Sequence, residues 1–219
     1  MKKGESGLRI AIIVSDVNYD LADLIQAQQN HSDLFSIKQV LTNKLELFEK
    51  LQETVKSEKY IPFTSDIQIC LIGFEKNNEP FNRQDLNYHV KLSSQILEIV
   101  RNAQIDIILL DGFYVILKNP LVQVYEGRIL NVHPSLLPKF NGKGMYGMNV
   151  HQAVIESKET ETGATIHLVD LGIDTGEILT KAQVHVGSSD TPETLYTKVR
   201  YARIDAIIHA IEIIKQRMM

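Results

Sequence analysis

Four polar side chains in the second half of the chain have types that can act together: Asn131 and His133 at the end of an apolar run, His167, and Asp174 in a turn-rich segment. The amide of Asn131 donates an N–H without titrating, and a protonated His133 would donate a stronger, charge-assisted bond. A carboxylate beside that ring, here Asp174, favours the charged imidazole and through an ordered water can accept a proton leaving a nitrogen. Such a set suits a reaction in which a carbon becomes tetrahedral, because it offers a fixed donor to the developing oxyanion and a route for the proton. Pro134 and Pro138 fix φ at two points after Asn131-Val132-His133, which would hold that turn rigid. His167 alternates within a strand pattern beside Asp170, and two roles stay open for it: orienting a catalytic partner, or resting as a satisfied core histidine.

The elements that must position these residues follow from the hydrophobic pattern. Leu8 to Val14 is a short branched apolar run, as expected for a strand with both faces covered. Helical spacing over Tyr19 to Gln29 follows, and Phe35 to Leu41 alternates as a strand, giving a βαβ opening. Leu41, Leu45, Phe48, Leu51 and Val55 mark a second helix, with Asn43 and Glu46 spaced like a capping box. Ile67 to Phe74 reads as a strand, Glu75 to Arg83 as a loop, and Leu86, Val90, Leu97 and Val100 as a helix leading into the strand Ile105 to Leu110. Arg128 to Val132, Ala164 to Val169 and Glu177 to Val184 complete the strands. Asp190-Thr191-Pro192-Glu193 supplies a cap, a first-turn proline and an acid before a long final helix. Strands alternating with helices predict a single α/β domain over residues 1–219, with a doubly wound, mostly parallel, Rossmann-type sheet. Ligands of such sheets sit beyond the carboxyl ends of strands, where Asn131 and His133 fall.

Composition narrows the partners. A formal net charge of −4 over 219 residues gives no basic field for nucleic acid or an anionic membrane, so a small molecule is the expected partner. The single Cys70 lies in an apolar run and reads as a small buried hydrophobe in a reducing compartment. The polar start and the apolar run that stops at Asp16 fit neither a signal peptide nor a membrane span, which predicts a cytoplasmic protein.

Asn131-Val132-His133-Pro134-Ser135-Leu136-Leu137-Pro138, followed by His167 and Asp174-Thr175-Gly176, resembles the folate-dependent formyltransferases, and within them the branch that acts on glycinamide ribonucleotide in purine biosynthesis. The resemblance is carried by Ile107 to Val186, extends to the first strand and last helix, and is faint between Leu41 and Arg83. It implies transfer of a formyl group from 10-formyltetrahydrofolate, as co-substrate and without a metal, to a primary amine. Asn131, His133 and Asp174 are then catalytic. It also implies a pterin wall in Leu110 to Leu117, with Gly112, Phe113, Tyr114 and Leu117 binding the folate, and an opposite wall from Asp170 to Asp174. Ser15, Pro134 and Lys143 are the implied acceptor-binding residues, and the protein is expected as a monomer or homodimer.

Two positions depart from the family. A glycine-rich, phosphate-binding loop after the first strand is replaced by Ser15-Asp16-Val17-Asn18-Tyr19-Asp20, whose two carboxylates would repel a phosphate. The Glu-His pair of the family, whose glutamate binds the ribose hydroxyls, is replaced by Arg203-Ile204. An acceptor other than the ribonucleotide, such as a nucleotide-linked amino sugar, stays open. So do a non-catalytic folate-binding relative and a metal hydrolase built from His133, His151, His167 and Asp174.

Overall fold

The computed structural model describes residues 7–57, 59–73, 80, 82, 85 and 87–219. They divide into two compact units, 1–129 and 130–219. The first holds strands β1 (Leu8–Val14), β2 (Phe35–Thr42), β3 (Gln68–Leu71) and β4 (Ile107–Asp111), with helices α1 (Ala22–Asn30), α2 (Leu45–Lys56), α3 (Ile61–Thr64), α4 (Tyr88–Asn102) and α5 (Leu121–Val124). Strand β5 (Ile129–His133) carries the chain into the second unit, which holds α6 (Met148–Glu156), β6 (Glu161–Leu168), β7 (Ile178–His185) and α7 (Pro192–Met218).

In the first unit the strands run in the order β3-β2-β1-β4 and every pair is parallel. Ile10 to Val14 are all buried, as a strand covered on both faces requires. In the second unit the order is β5-β6-β7 and both pairs are antiparallel. The α/β class and the mostly parallel, Rossmann-type sheet agree with the sequence pattern. The final helix starts as its sequence predicts: Thr191 caps it, its hydroxyl and that of Thr194 bonding reciprocally to each other's backbone N–H.

Some elements differ from expectation. Helix α2 has no capping box; Lys44 occupies the N-cap without a side-chain bond. Asn43 is drawn instead to the neighbouring loop, where its Oδ1 accepts the Ser15 hydroxyl at 2.8 Å. Val90 is exposed, and the buried face of α4 is formed by Tyr88, Leu92, Ile96, Leu97 and Val100. Cys70 is half-buried rather than core, its thiol donating to Gln39 Oε1 at 3.1 Å. Phe74, Leu86 and all but Pro80 and Asn82 of the Glu75 to Arg83 stretch lie outside the described residues. No described helix is long and apolar enough to cross a membrane.

Candidate active site

Strand β5 ends on Asn131, Val132 and His133, and antiparallel pairing with β6 sets Asn131 opposite His167 and His133 opposite Thr165. Directly opposed residues project to the same face, so one register brings the amide and both imidazoles together. Asn131 Nδ2 lies 3.0 Å from His167 Nε2. The other ring nitrogen of His167, Nδ1, lies 2.9 Å from the Leu168 carbonyl, an acceptor only. A neutral His167 therefore carries its proton on Nδ1 and receives an Asn131 N–H at Nε2. This holds the Asn131 amide with its donor side inward and leaves its second N–H for a ligand.

Asp174 comes from the loop between β6 and β7 and completes the cluster. Its carboxylate is 3.6 Å from His133 Nδ1 and 3.7 Å from His167 Nε2, and Oδ2 accepts the Gly142 N–H at 3.1 Å. Burial alone would raise its pKa; the His167 and His133 rings, attractive to the carboxylate in their charged forms, and the Gly142 N–H outweigh that and hold it below the usual carboxylate range. Asp174 is thus ionised at neutral pH.

His133 corrects one expectation. It is 3% exposed, and this burial lowers its pKa more than the Asp174 carboxylate and the Phe140 carbonyl raise it, with the His167 ring lowering it further. Its resting form is therefore the neutral ring, not the imidazolium expected from a neighbouring acid. Nε2 donates to the Phe140 carbonyl at 2.8 Å, so the lone pair sits on Nδ1, facing Asp174. The atom that gains or loses a proton is then Nδ1.

The turn after β5 is braced as well as proline-bounded. Thr165 Oγ1 donates to the Ser135 carbonyl at 2.6 Å and accepts the Leu137 N–H at 3.0 Å, and Ser135 Oγ donates to the Lys139 carbonyl at 2.6 Å. Pro134 is half-buried and Lys143 exposed. Asp170 is exposed, and its Oδ1 is taken up by the Gly172 N–H and the Thr175 hydroxyl.

The remaining candidates lie in the first unit. Gly112 has φ +75° and its carbonyl accepts the N–H groups of Ser15 and Asp16; a Cβ there would meet Asp16 Cβ at 3.1 Å, tight enough to favour glycine. Phe113 and Leu117 are buried in the core rather than offering surface, while Tyr114 and Ile116 are exposed. Ser15 is buried, its hydroxyl engaged by Asn43.

Sequence reasoning missed the backbone partners of the cluster, the Phe140 carbonyl and the Gly142 N–H. No side-chain signal announces them. His151 is buried on α6 with its ring edge-on to Tyr196 and Nδ1 unpartnered. Among the described residues no group of three or more His, Cys, Asp or Glu is arranged to hold a metal ion.

Residues 8–211 match the family model described as formyl transferase. The chain belongs to the formyl transferase family. It is 45% identical over 106 residues to the chloroplastic phosphoribosylglycinamide formyltransferase of Arabidopsis thaliana, covering 48% of this chain and 36% of that protein. It is 32% identical over 208 residues to the trifunctional purine biosynthetic protein adenosine-3 of Bos taurus, covering 94% of this chain and 18% of that protein. The matched stretch thus spans about a third of the Arabidopsis relative and less than a fifth of the bovine one. Among solved structures, the phosphoribosylglycinamide formyltransferase of Brucella melitensis aligns with TM-score 0.72 at 28% identity, over 94% of this chain and 95% of that one. The enzyme of the same name from Bacillus halodurans aligns with TM-score 0.72 at 26% identity, over 93% of each chain.

Proposed function

We propose that this formyl transferase moves a formyl group from 10-formyltetrahydrofolate to a primary amine, with glycinamide ribonucleotide of purine biosynthesis as the acceptor. The observation that carries the reading is the Asp174 carboxylate lying 3.6 Å from His133 Nδ1 and 3.7 Å from His167 Nε2, with Asn131 bonded to His167. The names of the relatives support the acceptor. The family match crossing both units supports one functional domain over residues 1–219.

Attack of the amine on the formyl carbon makes a tetrahedral centre with a negative oxygen. The free N–H of Asn131 stabilises that oxygen without a protonation change. As the nitrogen becomes acidic its proton passes, directly or through water, toward the Asp174 carboxylate, whose low pKa keeps it ionised and ready to accept. His133 takes or yields a proton at Nδ1, where Asp174 stabilises the imidazolium as it forms. The departing folate nitrogen then leaves protonated. Gly112, Phe113, Tyr114 and Leu117, with the backbone around Asp170, are the residues proposed to hold the folate, and Ser15, Pro134 and Lys143 those proposed to face the acceptor. The chain works without a metal, as a monomer or homodimer in the cytosol, on small molecules and not on nucleic acid or membrane.

A second reading concerns the acceptor. The Asn18 N–H is bonded by the Asp16 carboxylate at 2.9 Å and the Ala22 N–H by the Asp20 carboxylate at 3.0 Å. Groups that a phosphate would need at the start of α1 are engaged by the chain's own anions, which favours an amine with no phosphate there. Formyl transfer assayed with glycinamide ribonucleotide and with a nucleotide-linked amino sugar separates the readings. Turnover with the ribonucleotide supports the first; turnover with the amino sugar alone supports the second. Folate binding with no transfer to either would leave a non-catalytic relative.

A further inference from the structure

Asp174 sits at φ +54°, in the left-handed region, which is sparsely populated by residues with a Cβ although aspartate enters it more readily than most. The loop that carries it is tied on both sides of that position. Asp170 Oδ1 accepts two hydrogen bonds across the base of the loop, from the Gly172 N–H at 2.9 Å and from the Thr175 hydroxyl at 2.7 Å. Gly172 precedes Asp174 by two residues and Thr175 follows it directly, so one carboxylate oxygen gathers the chain on both sides of the catalytic acid. A Cβ at Gly172 would overlap Thr175 Oγ1, so a side chain there would force the Thr175 hydroxyl, and its bond to Asp170, to move.

We propose that Asp170 and Thr175 form a side-chain clamp that holds Asp174 in its left-handed conformation, with its carboxylate directed at His133 and His167. Both are positioning residues: they set where the proton acceptor stands. Asp170 and Thr175 are exposed, so water competes for each bond singly. The clamp works because one oxygen receives both donors, and because releasing it frees residue 174 to relax to negative φ, which swings the carboxylate away from Nδ1. The clamp gives the Asp170 side chain a task within the protein, separate from any contact its backbone makes with folate.

This inference rests on the formyl-transfer reading, and its test pairs turnover with a measurement that needs none. Thr175→Ala and Asp170→Ala are expected to lower kcat by between about tenfold and about a hundredfold, the range for an acid displaced by about an ångström. KM for 10-formyltetrahydrofolate should stay within about twofold, since binding and proton handling separate in that way. Thr175→Ser keeps the hydroxyl, so it should stay near wild-type kcat. NMR titration of the histidine rings should show His133 in Thr175→Ala protonating at lower pH than in wild type, because the carboxylate has moved away. Wild-type kcat with an unshifted His133 in Thr175→Ala would overturn the clamp, as would a Thr175→Ser as impaired as Thr175→Ala. If the wild-type protein transfers formyl to no amine, the functional reading fails, and the His133 titration still decides the clamp.

Discussion

Asn131 and His167 oppose each other across the antiparallel β5/β6 pair, the amide Nδ2 lying 3.0 Å from the imidazole Nε2. Because the Leu168 carbonyl fixes the His167 tautomer, the ring dictates which end of the Asn131 amide faces inward. An asparagine that flips presents its carbonyl to the oxyanion and becomes repulsive. His167→Ala should therefore lower kcat by between about tenfold and about a hundredfold, the range for a compromised oxyanion donor. Asn131→Ala together with His167→Ala should be little worse than Asn131→Ala alone, since the two act as a unit. Steady-state kinetics of the three variants check this; additive losses would mean that His167 acts independently of the amide.

Replacement of Asp174 by Asn keeps the shape of the loop and its bond from the Gly142 N–H while removing the proton acceptor. Turnover should fall by about a thousandfold or more, as for general bases of this kind, with the folate Kd almost unchanged. Stopped-flow transfer and fluorescence titration of a folate analogue provide the two numbers. Near-normal turnover would remove Asp174 from its role.

Much of this cluster was legible in the sequence, and the reasons for what was not are physical. Asn131, His133 and Asp174 announced themselves because their side chains carry the chemistry. The Phe140 carbonyl and the Gly142 N–H did not, because every residue has such groups and only the fold selects them. His167 stayed ambiguous because its partner depends on strand direction: alternation gives a strand's faces but not whether its neighbour runs antiparallel. Strand β1 was plain from an unbroken branched run. Helix α6 was not read: it is nine residues long, its N-cap Gly147 makes no side-chain bond, and a loop rich in glycine and polar residues precedes it. The supposed capping box at Asn43 failed because tertiary structure recruited that side chain to Ser15.

Buried His151 makes stability depend on pH in a window set by its own titration. Burial pushes its pKa from an ordinary 6.5 down to about 4. Below pH 6.5 the unfolded chain takes up the proton and the folded chain does not, so stability is full above that value and is lost as pH falls toward 4. The loss across the window is on the order of 3 kcal/mol for this group. Urea midpoints measured from pH 7 to pH 4 should slope downward with acid, His133 contributing in the same direction because its pKa is also lowered. His151→Leu should flatten part of that slope; an unchanged slope would show that His151 is protonated in the folded state.

Asp16 and Asp20 bear on the acceptor through their charge. Each holds a backbone N–H through Oδ1, a bond that an asparagine oxygen can also accept. Asp16→Asn with Asp20→Asn should therefore fold normally while removing two negative charges from the start of α1. If a phosphate-bearing acceptor must approach this loop, its affinity should rise by about fivefold per carboxylate, the size of a charge pair about 4 Å apart when water screens it fully. The gain should shrink with added salt. Isothermal titration of glycinamide ribonucleotide into wild type and the double variant, at low and high ionic strength, measures it. Equal affinities would mean that the phosphate is held elsewhere, with the exposed Lys143 loop as the cation at hand, or that the acceptor carries none.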